Sequence, residues 1–202
     1  MTGRRDPRKR NSNYIIVHRA LGPAGKRRFT NRPYNPGVSV PLHRKDAPSC
    51  VRCFVLTISD TRTRDTDTSG NAIVEALTAA GHEVTGRDIV RDDPGAVRAV
   101  VGAQAGATQV IITTGGTGIT ARDSTFEAIS TLLEKRLDGF GELFRMLSYE
   151  QIGSAAMLSR ACAGTVGRCA VFSLPGSEHA VRLAMTKLIV PEIGHVVREL
   201  SR

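Results

Sequence analysis

Val110-Ile111-Ile112-Thr113-Thr114-Gly115-Gly116-Thr117-Gly118-Ile119-Thr120-Ala121-Arg122-Asp123-Ser124-Thr125-Phe126-Glu127 runs from a β-branched apolar segment through three glycines into a helix start. The apolar piece is short and bounded by turn residues, which predicts a buried strand. Glycines at 115, 116 and 118 allow backbone N–H groups to turn outward with no Cβ in the way. Ser124 and Glu127 have the spacing of a capping box, which predicts a helix from about residue 125. A glycine loop entering the positive end of a helix is suited to cradle an anionic group. A tight packing turn would use the same glycines, so the loop alone leaves both readings open. Arg122 and Asp123 stand between loop and helix, where one can pair with phosphate and the other can hold a divalent metal.

Two better-known phosphate loops are excluded. No Gly-Lys-Ser/Thr is present, so this is not a P-loop. The dinucleotide fingerprint follows a first strand and has an acidic residue about 20 positions on. This loop follows a third strand, and the residue near that distance is Lys135.

The flanking sequence supplies those earlier strands. Residues 51–58 are short and nearly all apolar, which predicts a strand ended by Ser59-Asp60. A helix is expected over about 70–80, capped from Thr68 or Ser69 and stopped by Gly81. A second strand at 82–90 and a helix at 94–105 with Pro94 in its first turn come next. Beyond the loop we expect helices over about 125–135, around 141–147 and over 155–164, then a strand at 169–174 ended by Pro175-Gly176. A helix from Ser177 to about Ile189 and a shorter one from Pro191 complete the chain. Strands alternating with helices predict an α/β fold, a three-layer α/β/α sandwich with a largely parallel sheet. The polar turns at 59–70, 113–123 and 175–178 all follow strands, so they can share the rim where such sheets bind ligands.

Asp123 follows the loop and Asp92 follows the second strand. Two carboxylates on one rim suit Mg²⁺, which takes oxygen ligands and bridges phosphates. The alternative for each is a helix N-cap, since both stand near helix starts. The five histidines (18, 43, 82, 179, 195) are scattered, and no Ser–His or Cys–His arrangement stands out. Cys50 and Cys53 have metal or redox spacing, but Cys162 and Cys169 form no second close pair, which favours reduced thiols in a core.

The formal charge of +9 on 202 residues looks at first like a nucleic-acid signal. Residues 1–49 hold 12 of the Lys/Arg and only Asp6 and Asp46 as acids, so nearly all the excess belongs to an N-terminal arm. That arm is rich in Pro, Gly, Asn and Arg and is expected to be solvated and disordered, ahead of a folded domain over 50–202. It would attract nucleic acid only non-specifically. A transit segment or a start codon assigned too early are further readings of it. No apolar run approaches 18 residues and no secretory h-region is present, so a cytoplasmic protein without a membrane span is expected.

Taken together, Thr113–Gly118 followed by Ala121-Arg122-Asp123-Ser124-Thr125 resembles the signature of the MoaB/MogA family of molybdenum cofactor biosynthesis proteins. Thr57-Ile58-Ser59-Asp60-Thr61-Arg62, the stretch from Phe144 to Gly153, and Leu174-Pro175-Gly176-Ser177 agree with it, the last two more closely with the MoaB branch. The resemblance spans about residues 51–200. It implies Mg²⁺- and ATP-dependent adenylylation of molybdopterin, with ATP and molybdopterin as substrates and pyrophosphate released. By resemblance, Asp123 and Asp92 (or its neighbour Asp93) hold Mg²⁺ and serve catalysis. Thr114, Gly115, Gly116, Thr117, Gly118 and Arg122 would bind substrate, and Ser59, Asp60, Pro175, Gly176 and Ser177 would line the pterin or nucleotide pocket. The family also implies a homo-oligomer, trimer or hexamer. The other functional class is a non-catalytic molybdopterin-binding or assembly protein, tethered through the basic arm to a partner or nucleic acid.

Overall fold

The structure, a computed structural model, describes residues 46–120 and 123–202. The arm up to residue 45 and the anticipated phosphate ligand Arg122 therefore lie outside the described residues. Six strands form one sheet in the order β2-β1-β3-β6-β5-β4. They are β1 (Arg52–Ile58), β2 (Glu83–Val90), β3 (Val110–Thr114), β4 (Lys135–Arg136), β5 (Cys162–Val166) and β6 (Cys169–Leu174). The first four in that order run parallel, while β5 and β4 are antiparallel additions at one edge.

Side-chain alternation along the central strands creates the layers. Cys53, Val55, Val110, Ile112, Phe172 and Leu174 face one cluster. This is closed by α1 (Thr68–Ala79), α4 (Asp138–Ile152), α5 (Glu178–Ala184) and α6 (Val190–Leu200), the last two joined by a π-helical turn at Met185–Ile189. Phe54, Leu56, Ile111 and Val171 face the other, beneath α2 (Pro94–Ala105) and α3 (Thr125–Ser130). Each fully buried Leu or Ile here, such as Ile73, Leu77 and Ile129, contributes about 1.5–3 kcal/mol by leaving water. The sandwich is the α/β/α architecture that strand–helix alternation predicts.

Four local expectations fail. The cap of α1 is Asp67, whose side chain accepts from Gly70 N, not Thr68 or Ser69. Helix α3 stops at Ser130, because Glu134 N must bond Thr165 O and Lys135–Arg136 pair with β5. Helix α4 is longer than its core pattern, running over Asp138–Ile152. The segment read as a helix at 155–164 is a 3-10 helix, Gly153–Leu158, followed by β5. There the hydrogen bonds of a β5–β6 hairpin, closed by Gly167 at φ 56°, override the local helix preference of Ala and Met.

Candidate functional site

The carboxyl ends of β1, β3 and β6 meet at the glycine loop. Gly115 N donates to Leu174 O, Thr114 Oγ1 donates to Pro175 O at 2.9 Å, and Ser69 Oγ donates to Gly176 O at 2.7 Å. The three polar turns thus share one rim, as their positions after strands predict. Gly115 (φ 101°) and Gly116 (φ 62°) take left-handed conformations that side chains resist. Space forbids a side chain at both as well. A Cβ on Gly115 would lie 2.1 Å from Ile58 O, and one on Gly116 2.0 Å from Thr125 Oγ1.

Asp92 and Asp123 both stand against this loop, Asp92 beside Gly116 and Asp123 beside Gly118. Asp92 Oδ1 accepts from Ser124 N at 3.3 Å, Ser124 Oγ at 3.0 Å and Thr125 Oγ1 at 3.1 Å. Asp123 Oδ2 accepts from Thr120 N at 3.0 Å and from Thr120 Oγ1. The capping-box expectation is corrected: Ser124 occupies the N-cap of α3 but makes no capping bond, and its hydroxyl is committed to Asp92. Glu127 turns away to pair with Arg160. The N-cap expectation for Asp92 is corrected too, because Asp93 caps α2 by accepting from Ala96 N at 2.7 Å. Asp92 is thereby left to face the loop.

Two cavities adjoin across Gly176, whose would-be Cβ lies 3.3 Å from Gly115 Cα. The larger, about 460 Å³, is bounded by Gly116–Gly118, Asp123, Pro175–Ser177 and the apolar flank of α4. That size and its mostly apolar wall with a few polar groups are typical of small-molecule sites. The smaller, about 70 Å³, is bounded by Ser59, Arg62, Asp67, Ser69, Thr114 and Gly115. Of the residues the sequence nominates, Ser59, Thr114 and Gly115 border the smaller cavity, Gly116, Thr117, Gly118, Asp123, Pro175 and Ser177 the larger, and Gly176 both. Asp60 is exposed, and neither it nor Asp92 borders either cavity. Ser59 Oγ is occupied in its own turn, accepting from Thr61 N and Arg62 N.

Sequence reasoning misses several neighbours. Ser148, Gln151 and His179 supply polar groups to the larger cavity. Asp67, almost wholly buried, accepts from Thr57 Oγ1 at 2.6 Å and pairs with Arg87 Nη2 at 2.5 Å under the smaller one. Burial alone would raise its pKa, but the hydrogen bonds from Thr57 and Gly70 and the Arg87 charge outweigh it and hold it low. Arg160 donates through Nε to Thr117 O at 2.9 Å and through Nη2 to Gly118 O, so it grips the loop itself. Ser148 and Gln151 fall within the Phe144–Gly153 stretch that carries the resemblance, whereas His179 and Arg160 carry no local motif and the polar Asp67-Thr68-Ser69-Gly70 run after β1 is the one signal for Asp67.

The residues present fit a phosphate-bridging Mg²⁺. Among the described residues no group of three or more His, Cys, Asp or Glu forms a metal cage. Mg²⁺ does not require one, since it commonly takes one or two carboxylates and completes its shell with phosphate oxygens and water. Asp92 and Asp123 each approach the loop backbone closely: a Cβ on Gly116 would lie 2.6 Å from Asp92 Oδ2, and one on Gly118 2.6 Å from Asp123 Oδ2. The thiols are elsewhere. Cys53, Cys162 and Cys169 are buried and unpaired, and burial pushes Cys53 up to about 12.

The family model described as "Probable molybdopterin binding domain" matches residues 54–195. The molybdenum cofactor biosynthesis protein B of Bacillus cereus is 57% identical over 168 residues, covering 82% of this chain and 99% of that protein. A crystal structure of a molybdenum cofactor biosynthesis protein B superposes with a TM-score of 0.75 at 57% identity, covering 78% of this chain and 99% of that one. The tungsten cofactor synthesizing protein MoaB of Pyrococcus furiosus superposes with a TM-score of 0.69 at 39% identity, covering 77% and 100%.

Proposed function

This chain belongs to the MoaB/MogA family of molybdenum cofactor biosynthesis proteins, and on that premise we propose that it transfers the adenylyl group of ATP to molybdopterin. Its pathway is molybdenum cofactor biosynthesis, and its likeness is to the MoaB branch. The finer chemistry rests on one observation: a glycine loop bracketed by Asp92 and Asp123, set at a rim where two cavities adjoin. The larger cavity has room for one small-molecule substrate with its phosphate at the loop.

In this reading the terminal phosphate oxygen of molybdopterin attacks the α-phosphorus of ATP. The new P–O bond forms as the α–β anhydride breaks, and pyrophosphate leaves with the bonding electrons. No protein nucleophile is needed, so the chain's task is positioning and charge stabilisation. Loop amides from Gly116 to Ile119 hold phosphate oxygens, and Ser124 and Thr125 hold the Asp92 carboxylate in place at the loop. Mg²⁺ held by Asp92 and Asp123 would supply neutralisation of the charge that builds on the phosphates. Ser148, Gln151, Ser177 and His179 offer hydrogen-bonding groups to a polar heterocycle in the larger cavity.

Leu143, Met146, Tyr149 and Ile152, at successive i, i+3 positions of α4, are each about half or more exposed. They support the further proposal that the protein works as a homo-oligomer. No helix among the described residues is long and apolar enough to cross a membrane. The functional test is molybdopterin-dependent release of pyrophosphate from ATP and Mg²⁺. Molybdopterin binding without release would favour the non-catalytic assembly role instead.

A further inference from the structure

Arg160 lies between the 3-10 helix and β5, remote in sequence from the glycine loop that it grips. Its Nε donates to Thr117 O at 2.9 Å, and Nη2 donates to Gly118 O and, at 3.3 Å, to Asp123 O. Nη1 pairs with Glu127, and the guanidinium carbon sits 4.9 Å from the centre of the Phe126 ring. The side chain is only 23% exposed. It is therefore fixed on one face by the aromatic ring and at its edge by carbonyls.

A trans peptide is planar, with its C=O and N–H pointing in opposite directions. Holding the carbonyls of Thr117 and Gly118 toward one guanidinium therefore turns the N–H groups of Gly118 and Ile119 away from it. Successive amides turned to one side form a concave anion site. We infer that Arg160 is a positioning residue that aims the loop amides at the substrate phosphate, without touching substrate itself. The inference rests on the reading of this loop as the phosphate cradle. A guanidinium suits the task because its rigid fork reaches several acceptors at once, whereas a lysine ammonium would act as a single point charge.

The test uses the full chain with Arg160→Lys and Arg160→Ala, each normalised to the sites that bind molybdopterin. Pyrophosphate release, molybdopterin Kd and the thermal midpoint are measured together. We expect kcat to fall about 100-fold in Arg160→Ala and about tenfold or more in Arg160→Lys. Guanidinium at millimolar concentration should partly restore Arg160→Ala, while sodium chloride at the same ionic strength should not. A merely structural arginine predicts otherwise. Unchanged kcat per binding site, or equal rescue by both salts, would overturn the inference. If Arg160→Ala does not fold, Arg160→Lys decides alone. If the wild type releases no pyrophosphate, the adenylylation reading fails separately. Arg160 is then judged on molybdopterin Kd, which about tenfold weakening supports and an unchanged value overturns.

Discussion

Asp92 and Ser124, 32 residues apart in the chain, are joined twice: Ser124 donates its backbone N–H and its hydroxyl to the same oxygen, Asp92 Oδ1. This pair ties the end of β2 to the far side of the glycine loop. It also separates two adjacent aspartates, because Asp93 turns the other way and caps α2. Asp93→Ala should cost about 1 kcal/mol of stability and leave turnover near wild type. Asp92→Asn should reduce turnover by about 100-fold or more, given the charge it would remove from the phosphate site. Denaturant melts and turnover measured on the same preparations check both. An inactive Asp93→Ala or a fully active Asp92→Asn would reverse the assignment.

Gly116→Ala should destabilise the protein by about 2 kcal/mol or more, through a left-handed backbone and a Cβ in collision with Thr125 Oγ1. Gly102, in an open part of α2 with nothing within 4 Å of its would-be Cβ, is the control. Gly102→Ala should be neutral or slightly stabilising by helix propensity. Urea unfolding midpoints compare the two.

Asp67 gives the acid limb of stability a defined contributor. Its folded pKa lies below the ordinary 3.8, so the folded protein binds this proton more weakly than the unfolded chain. The stabilisation is complete above that ordinary value and is lost as pH falls through the lower folded one. Asp67→Asn keeps the shape but leaves Arg87 without its charge partner. It should be less stable than wild type by about 2 kcal/mol at neutral pH, with the gap closing in acid. Thermal midpoints from pH 7 down to pH 2 test this, since the gap should close only below the ordinary carboxylate range, and a gap that widens there would contradict it.

The apolar stripe on α4 carries the prediction about assembly. Sedimentation velocity should give a trimer or hexamer for the wild type, and Met146→Glu or Tyr149→Glu, both at exposed positions, should shift it toward monomer. A monomeric wild type would remove the homo-oligomer from the account.

The parts of this fold legible in the sequence are those with local signals. Val110-Ile111-Ile112 and Cys169-Ala170-Val171-Phe172 are apolar runs closely followed by glycine or proline, and strands form over Val110–Thr114 and Cys169–Leu174. Gly81 and Pro94 likewise mark the ends of elements they chemically favour. Cys162–Val166 was not legible, because its identity as a strand depends on pairing with β6 and not on its own composition. The Val166-Gly167-Arg168-Cys169 turn was the one clue, since glycine can supply the positive φ that a tight hairpin needs. The site divides in the same way. The glycine loop announces itself by spacing, and Asp92 and Asp123 are nominated through the family resemblance, whereas Arg160, Asp67 and His179 reach the site only through tertiary packing.

The central claim is tested most directly by pyrophosphate release from ATP, Mg²⁺ and molybdopterin, with wild type and Asp123→Asn compared side by side. The account predicts release by the wild type that depends on molybdopterin, and a loss of about 100-fold or more in the variant while its thermal midpoint stays close to wild type. Equal release by both proteins, or none from a folded wild type that binds molybdopterin, would contradict it.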